Sequence, residues 1–304
     1  MVIDQHNGES WIMYNGDSIE ILDGIPDESI DYSLFSPPFS SLYTYSNSER
    51  DLGNCKSDEE FMTHFRFVAD HLFRVIKQGR LVSVHCMLIP AMKERDGYIG
   101  LKDFRGDIIR LFQSVGFIFH AEVTIWKDPL IEATRTKALG LMHKQLCKDS
   151  SMCRQGLPDY IVTMRKPGEN QDMIAHPNGL TSYAGTDEIK SGTYSHEVWR
   201  KYASPIWMDI NQTYTLNKNG AREEKDERHV CPLQLQTIER CLTLWSNPND
   251  VVLSPFAGIG SEGYQAVKMG RRFVGIELKQ SYYNCAVQNI ERVSTAPKQK
   301  ELFA

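Results

Sequence analysis

The chain has 304 residues, seven cysteines and a formal net charge of -5, with apolar and charged fractions ordinary for a globular protein. That length supports one large α/β domain with an insertion, or two modest domains. The acidic balance excludes a protein that coats nucleic acid by charge alone, while leaving room for a local basic surface. The cysteines contain no Cys-x-x-Cys pair, so neither a zinc site nor a disulfide framework is expected, and no metal. The opening Met-Val-Ile-Asp-Gln-His is not a signal peptide, and no apolar run reaches membrane-spanning length. A cytoplasmic chain with reduced thiols and no membrane contact is the expectation.

In chain order, Trp11 to Tyr14 is a short apolar run ended by Asn15-Gly16, and a short helix starts at Asp17. Asp31 to Phe35 reads as a strand stopped by Ser36-Pro37-Pro38, since two prolines forbid continuation. From Asp58 to Lys77 the apolar spacing is helical, with Ser57 and Glu60 forming a capping box and Gly79 ending the helix. Leu81 to His85 reads as a buried strand, Asp103 to Val115 as a helix closed by Gly116, and Phe117 to Trp126 as a strand. Ala133 to Leu146 forms a basic helical stretch, followed by a strand from Asp159 to Arg165. Apolar periodicity weakens from Glu169 to Arg228, which predicts an irregular insertion or small domain. Order returns with a helix to Trp245, a strand at Val251 to Leu253, a glycine loop, a helix to Met269, a strand from Phe273 to Glu277 and a last helix to about Val293. Strands alternating with helices at both ends predict a doubly wound, mostly parallel sheet covered by helices on both faces.

Two loops carry chemistry. The segment Ser254-Pro255-Phe256-Ala257-Gly258-Ile259-Gly260-Ser261 joins a strand to a helix, where small residues admit a ligand close to backbone N–H groups. Glu277 ends the next strand, the position from which an acid bonds ribose hydroxyls. Without the Lys-Ser/Thr ending of a phosphate loop, and shorter than a dinucleotide fingerprint, the loop suits a nucleoside without pyrophosphate. In the second loop, Ser36-Pro37-Pro38-Phe39, the prolines supply carbonyl acceptors without donors, and the serine hydroxyl adds another acceptor. A planar group can stack on Phe39. A base amino group needs this set, because acceptors on its hydrogens draw its delocalised lone pair onto nitrogen, ready to attack a methyl sulfonium.

The chain resembles the amino-group DNA methyltransferases of the permuted beta arrangement, in which the catalytic loop comes first and the cofactor loop last. Tyr14-Asn15-Gly16-Asp17 resembles the family's opening, Leu253 to Ser261 its cofactor motif, and Gly270 to Glu277 with Tyr282 the segment downstream of that motif. Trp126-Lys127, Arg165-Lys166 and His229-Val230-Cys231-Pro232 are similar to further family segments. The resemblance implies a Rossmann-like methyltransferase sheet, S-adenosylmethionine as methyl donor, double-stranded DNA as substrate with the target base flipped out, and a dimer; whether a restriction enzyme accompanies the chain is open. It implies that Asp17 bonds the donor's adenine. Phe256, Gly258 and Gly260 would line its path, Glu277 would hold its ribose, and His229 with Pro232 would close over its methionine end. Ser36 and the Pro37 carbonyl would bind the target amino group beside Pro38, with Phe39 stacked on the base. Serine stands at 254 where the family usually has aspartate. Serine at 36 leans toward cytosine N4, with adenine N6 the alternative. The implied division is a catalytic half over 1–168, a target-recognition region over 169–228, a cofactor half over 229–293 and a tail over 294–304.

Arg135, Lys137, His143, Lys144 and Lys148 are either a solvated face or phosphate contacts, as are Lys218, Arg222, Lys225 and Arg228. His85 reads as a structural histidine with its hydrogen bonds satisfied, and Cys231 not as a nucleophile. More remote readings are a methyltransferase acting on RNA or a protein amide, or a nucleoside-binding module without catalysis.

Overall fold

The strands are placed by which of their two faces must be buried. In the computed structural model, which describes residues 2–38, 52–55, 57–91, 93–136, 138–176, 179–180, 193–217 and 232–295, nine strands form one sheet. They are β1 (Val2–Asn7), β2 (Trp11–Gly16), β3 (Ile30–Phe35), β4 (Ile76–Met87), β7 (Ile118–Ile125), β8 (Asp159–Arg165), β9 (Ile206–Trp207), β10 (Val251–Ser254) and β11 (Arg272–Glu277). Their order is β1-β2-β11-β10-β3-β4-β8-β7-β9, and the run from β2 to β4 is parallel throughout. β1, β8 and β7 are antiparallel additions, and β9 pairs parallel to β7 at the far edge. A separate hairpin joins β5 (Ile89–Ala91) to β6 (Gly100–Lys102).

The helices are α1 (Ser18–Asp23), α2 (Asp58–Val75), α3 (Lys93–Asp96), α4 (Phe104–Val115), α5 (Pro129–Thr136), α6 (His143–Lys148), α7 (Thr193–Tyr202), α8 (Leu235–Trp245), α9 (Ser261–Lys268) and α10 (Gln280–Ser294). One face of the sheet carries α8, α9 and α10 over Met13, Tyr32, Leu34 and Val252. The other carries α1, α2 and α4 over Phe35, Val82, Val84 and Leu253. Alternate residues of β3 thus enter opposite cores, as the two-residue strand period requires. Each fully buried aromatic, such as Phe61, Phe65 and Phe112 on the α2/α4 side, contributes about 1.5–3 kcal/mol.

The reversal in strand order positions the site. The crossover from β10 to β11 runs through α9 on one face, and that from β3 to β4 runs through α2 on the other. β10 and β3 lie side by side, with Leu253 opposite Ser33, so a crevice opens beyond their carboxyl ends, where such sheets bind ligands.

Three local expectations change. α2 ends at Val75, and β4 begins at Ile76 rather than Leu81. Ile76 pairs with Ile30, and Gly79, at φ +69°, bends the strand instead of capping the helix. The basic stretch from Ala133 to Leu146 is not one helix: α5 and α6 are separated by a 3₁₀ turn at Leu139–Leu141. β1 and the β5–β6 hairpin carry no clear sequence signal. Ser57 caps α2 through the Glu60 N–H, and Gly116 closes α4 in the left-handed conformation, both as expected.

Beneath the crevice a buried ion network joins three strands. Arg80, 1% exposed, donates to the Asp31 and Asp172 carbonyls and is paired with the Asp250 carboxylate. Asp31 in turn accepts from Lys77 at 2.6 Å and from the Val251 N–H at 2.8 Å. The network fixes the amino ends of β3, β4 and β10 relative to one another, and with them the loops at the opposite ends.

Candidate active site

Ser36, Pro37 and Pro38 leave the end of β3 between β10 and β4. Pro37 is buried, while Ser36 and Pro38 are half-buried. Phe256 of the neighbouring glycine loop packs against Phe35, the last residue of β3, with ring centroids 5.7 Å apart, and against Phe65 of α2 at 6.2 Å. The two loops that the sequence singled out, more than two hundred residues apart, therefore form one crevice wall. Phe39, the fourth residue of the first loop, lies outside the described residues.

The glycine loop is held in shape from three sides. Glu277, ending β11, accepts from the Gly258 N–H at 2.8 Å and from the Lys279 N–H at 2.9 Å. Ser18 donates to the Pro255 carbonyl at 2.5 Å. Asn15 donates to the carbonyls of Glu277 and Leu278 at 2.8 and 3.0 Å. Gly258 takes φ +52°, and nothing lies within 4 Å of where its Cβ would stand. Gly260 has a different reason to be glycine. At φ +84° it caps α9, and a Cβ there would meet Ala286 of α10 at 3.0 Å. Its absent side chain lets α9 pack closely on α10.

Asp17 is the N-cap of α1, and its Oδ1 accepts from the N–H groups of Ile19 and Glu20 at 2.9 and 3.1 Å. The cap places the carboxylate beside the Ser18–Pro255 bond, at the rim of the glycine loop. Pro232 is half-buried shortly before α8, whereas His229 and Cys231 lie outside the described residues. The buried hydroxyls of Ser254 and Ser261 have no hydrogen-bond partner among the described residues. A ligand with polar groups at one end and a nucleoside at the other fits this set: open space over Gly258, a carboxylate at Glu277, and two unengaged hydroxyls deeper in. Glu262, 4% exposed at the start of α9, has its carboxyl pushed up to about 8 by burial, with Glu277 adding repulsion.

On the other side of Ser36 stands an arrangement that the sequence did not reveal. Ser36 Oγ lies 2.9 Å from Nδ1 of His85 on β4. His85 Nε2 lies 3.2 Å from Asp159 Oδ2 at the start of β8, and Lys127 Nζ lies 2.5 Å from Asp159 Oδ1. Antiparallel pairing of β8 with β4 sets Asp159 opposite Met87 and so brings it to the same end of the sheet. Burial opposes the charge of Asp159, yet Lys127 and His85 outweigh it and hold the carboxyl at about 2. His85 is hydrogen-bonded to Ser36 through Nδ1 and lies at ion-pair distance from Asp159 through Nε2, so these neighbours belong to the site. The available signal was a polar residue at each of two corresponding strand ends, His85 closing one apolar run and Asp159 opening another.

The expected DNA contacts are only partly described. Arg135 and Lys144 are exposed on α5 and α6, in the segment joining the end of β7 to the start of β8, at the crevice end of the sheet. That segment is pinned by Glu132, whose Oε2 accepts from the Leu157 N–H at 2.8 Å. Lys137 and Arg222 lie outside the described residues. Among the described residues no group of three or more His, Cys, Asp or Glu could hold a metal ion, and no helix is long and apolar enough to cross a membrane.

Comparison with known proteins adds to this geometry. The N6/N4 methyltransferase family model, described as DNA methylase, matches residues 30–288. The chain is 25% identical over 276 residues to the type II methyltransferase M.BglII of Bacillus subtilis, covering 91% of this chain and 68% of that one. It is 26% identical over 271 residues to M1.MboII of Moraxella bovis, covering 88% and 91%. In fold it is similar to the Thermus thermophilus protein TTHA0409 complexed with S-adenosyl-L-methionine, at TM-score 0.64 and 21% identity, over 94% of this chain and 96% of that one. It is also similar to the cytosine-N4-specific PvuII DNA methyltransferase, at TM-score 0.63 and 17% identity, over 97% and 94%.

Proposed function

The chain belongs to the DNA methylase family of N6/N4 methyltransferases, and from that premise we propose that it methylates the N4 amino nitrogen of cytosine in duplex DNA, with Ser36 and Pro37 as the groups that bind the reacting nitrogen. The methyl donor is S-adenosylmethionine, which supplies an electrophilic methyl on a sulfonium. The observation that supports the site assignment is the parallel pairing of β3 with β10, which starts the Ser36-Pro37-Pro38 loop and the glycine loop from adjacent strand ends, with Phe35 at the end of β3 packed on Phe256 at 5.7 Å. It sets amino-group acceptors beside the place where a nucleoside-bearing donor fits.

The residues divide the work. Glu277 shapes the glycine loop through the Gly258 N–H and offers its carboxylate to the ribose. Asp17, at the rim, faces the adenine. The Ser254 and Ser261 hydroxyls take up polar groups at the methionine end. The Ser36 hydroxyl oxygen and the Pro37 carbonyl accept the two amino hydrogens of the target, drawing the nitrogen toward tetrahedral geometry. Reaching them requires the base to leave the duplex at a cost of a few kcal/mol. Arg135 and Lys144, exposed at the crevice end of the sheet, carry phosphate contacts that position the duplex without reading sequence. Residues 169–228 form the recognition region, between the catalytic half at 1–168 and the cofactor half at 229–293. Serine rather than aspartate at 36 favours cytosine.

The test is transfer of tritium from labelled S-adenosylmethionine to unmethylated plasmid DNA, followed by nucleoside digestion and mass spectrometry. Incorporation as N4-methylcytosine is expected. N6-methyladenine as the sole product would refute the cytosine assignment. Ser36→Ala should keep donor affinity and lose most turnover, about 100-fold or more, the scale of removing one stabilising group from a reacting centre. Lost donor binding with normal residual turnover would refute the role of Ser36.

A further inference from the structure

The chain of polar contacts Ser36–His85–Asp159–Lys127 lies at the reacting end of the crevice, and the assignment of Ser36 does not by itself use the last three residues. We propose that His85, held by Asp159 and Lys127, is a positioning residue that fixes the Ser36 hydroxyl proton away from the target amino group and receives the proton that the amino nitrogen sheds through Ser36. This rests on the methyltransferase reading above and deepens it.

A neutral His85 with its hydrogen on Nε2 sets the direction of each bond. Asp159 is buried and charged, stabilised by Lys127 at 2.5 Å, so its oxygens only accept. His85 Nε2 lies 3.2 Å away, and the proposal places the ring hydrogen there, facing the carboxylate. In a neutral imidazole that leaves Nδ1 bare. At 2.9 Å from Nδ1, the Ser36 hydroxyl is the donor. Its hydrogen points at His85, and its lone pairs point into the crevice. A serine left alone can rotate its hydroxyl and present the hydrogen to the substrate, which would repel an amino group. Here a second residue removes that freedom and makes Ser36 an obligate acceptor.

The same chain balances the reaction. As the target nitrogen's lone pair forms the N–C bond, the S–C bond of the donor breaks and the sulfur leaves as a neutral thioether. The nitrogen is then cationic and carries one hydrogen too many. That proton passes to Ser36 Oγ while the serine's own proton passes to His85 Nδ1. The positive charge that began on sulfur ends on an imidazolium beside the Asp159 carboxylate, and water removes the proton once product has left. The groups that set this charge face His85 from three strands: Ser36 from β3, Asp159 from β8, and Lys127 from just beyond β7. Cys86, next in sequence, points into the opposite core. Lys127 keeps Asp159 ionised.

The test compares wild type with His85→Asn and His85→Ala on unmethylated plasmid DNA under single-turnover conditions, with donor affinity measured in parallel. Asparagine keeps an acceptor near the Nδ1 position but cannot take up a proton. Both variants should bind S-adenosylmethionine within about twofold of wild type. His85→Asn should lower the methyl-transfer rate about 10–100-fold, the lower part of the range for a positioned proton acceptor, and His85→Ala should lower it further. Wild type should lose rate at acidic pH along a single ionisation, and that limb should vanish in His85→Asn. Nitrogen-15 NMR of the free protein should show His85 protonated on Nε2 alone, with the preference lost in Asp159→Asn. A wild-type rate and pH profile in His85→Asn would overturn the proposal while leaving the methyltransferase reading intact. Equal slowing of both variants with the acidic limb unchanged would show a purely structural histidine and also overturn it. No methylation of any DNA by wild type would remove both readings together.

Discussion

Replacing Glu277 by glutamine tests whether the glycine loop is held in its binding conformation by one carboxylate. In the structure both oxygens of Glu277 accept backbone N–H groups, Gly258 at 2.8 Å and Lys279 at 2.9 Å. Glutamine retains one acceptor, but its amide NH₂ must then face the other N–H, donor against donor. One charge-assisted bond is lost, and such bonds contribute about 1.5–3 kcal/mol. If ribose hydroxyls also bond the carboxylate, the loss falls on binding as well as on folding. The expected result is a dissociation constant for S-adenosylmethionine raised roughly 10- to 100-fold. The same loss should appear with S-adenosylhomocysteine, which shares the ribose. Isothermal titration calorimetry measures both ligands directly, and the unliganded protein should melt a few degrees lower. Affinity within twofold of wild type, in a folded variant, would refute both the loop-shaping role and the ribose assignment.

Arg80→Met should destabilise the fold by about 3–5 kcal/mol, because it leaves the Asp250 carboxylate buried without its cation. Urea unfolding near neutral pH should show a lower midpoint with little change in slope, and a loss under about 1 kcal/mol would contradict the network reading. Glu262 titrates oppositely from Asp159. Its folded value, about 8, lies above the ordinary 4.5, so the stability linked to its neutral form is complete below 4.5 and is lost as pH rises through 8. Glu262→Gln should therefore melt like wild type at acidic pH and clearly higher above the Glu262 pKa. Equal melting temperatures across that range would mean that the carboxylate is not desolvated as described.

Much of the fold was legible because it rests on local rules. The helical stripe of α2, the Ser57 cap, the Gly116 stop and the strand halted by Pro37-Pro38 each depend on a few neighbouring residues. The boundary between α2 and β4 was not legible, because Ile76 is drawn into the strand by its partner Ile30 and not by anything adjacent in sequence. Nor was the packing constraint at Gly260, which answers to Ala286 on another helix.

The site divides the same way. Both loops and their chemistry can be read from residue order: acceptors without donors at Ser36-Pro37-Pro38, and a strand, glycine turn and acid from Val251 to Glu277. Those are properties of residue type and short spacing. Only the tertiary structure decided that they form one crevice, because parallel pairing of β10 with β3 joins segments more than two hundred residues apart, a contact that no local pattern encodes. It also set three polar side chains in line behind the Ser36 hydroxyl. They are His85, Asp159 and Lys127, carried at or just beyond the ends of three different strands and brought together by strand order.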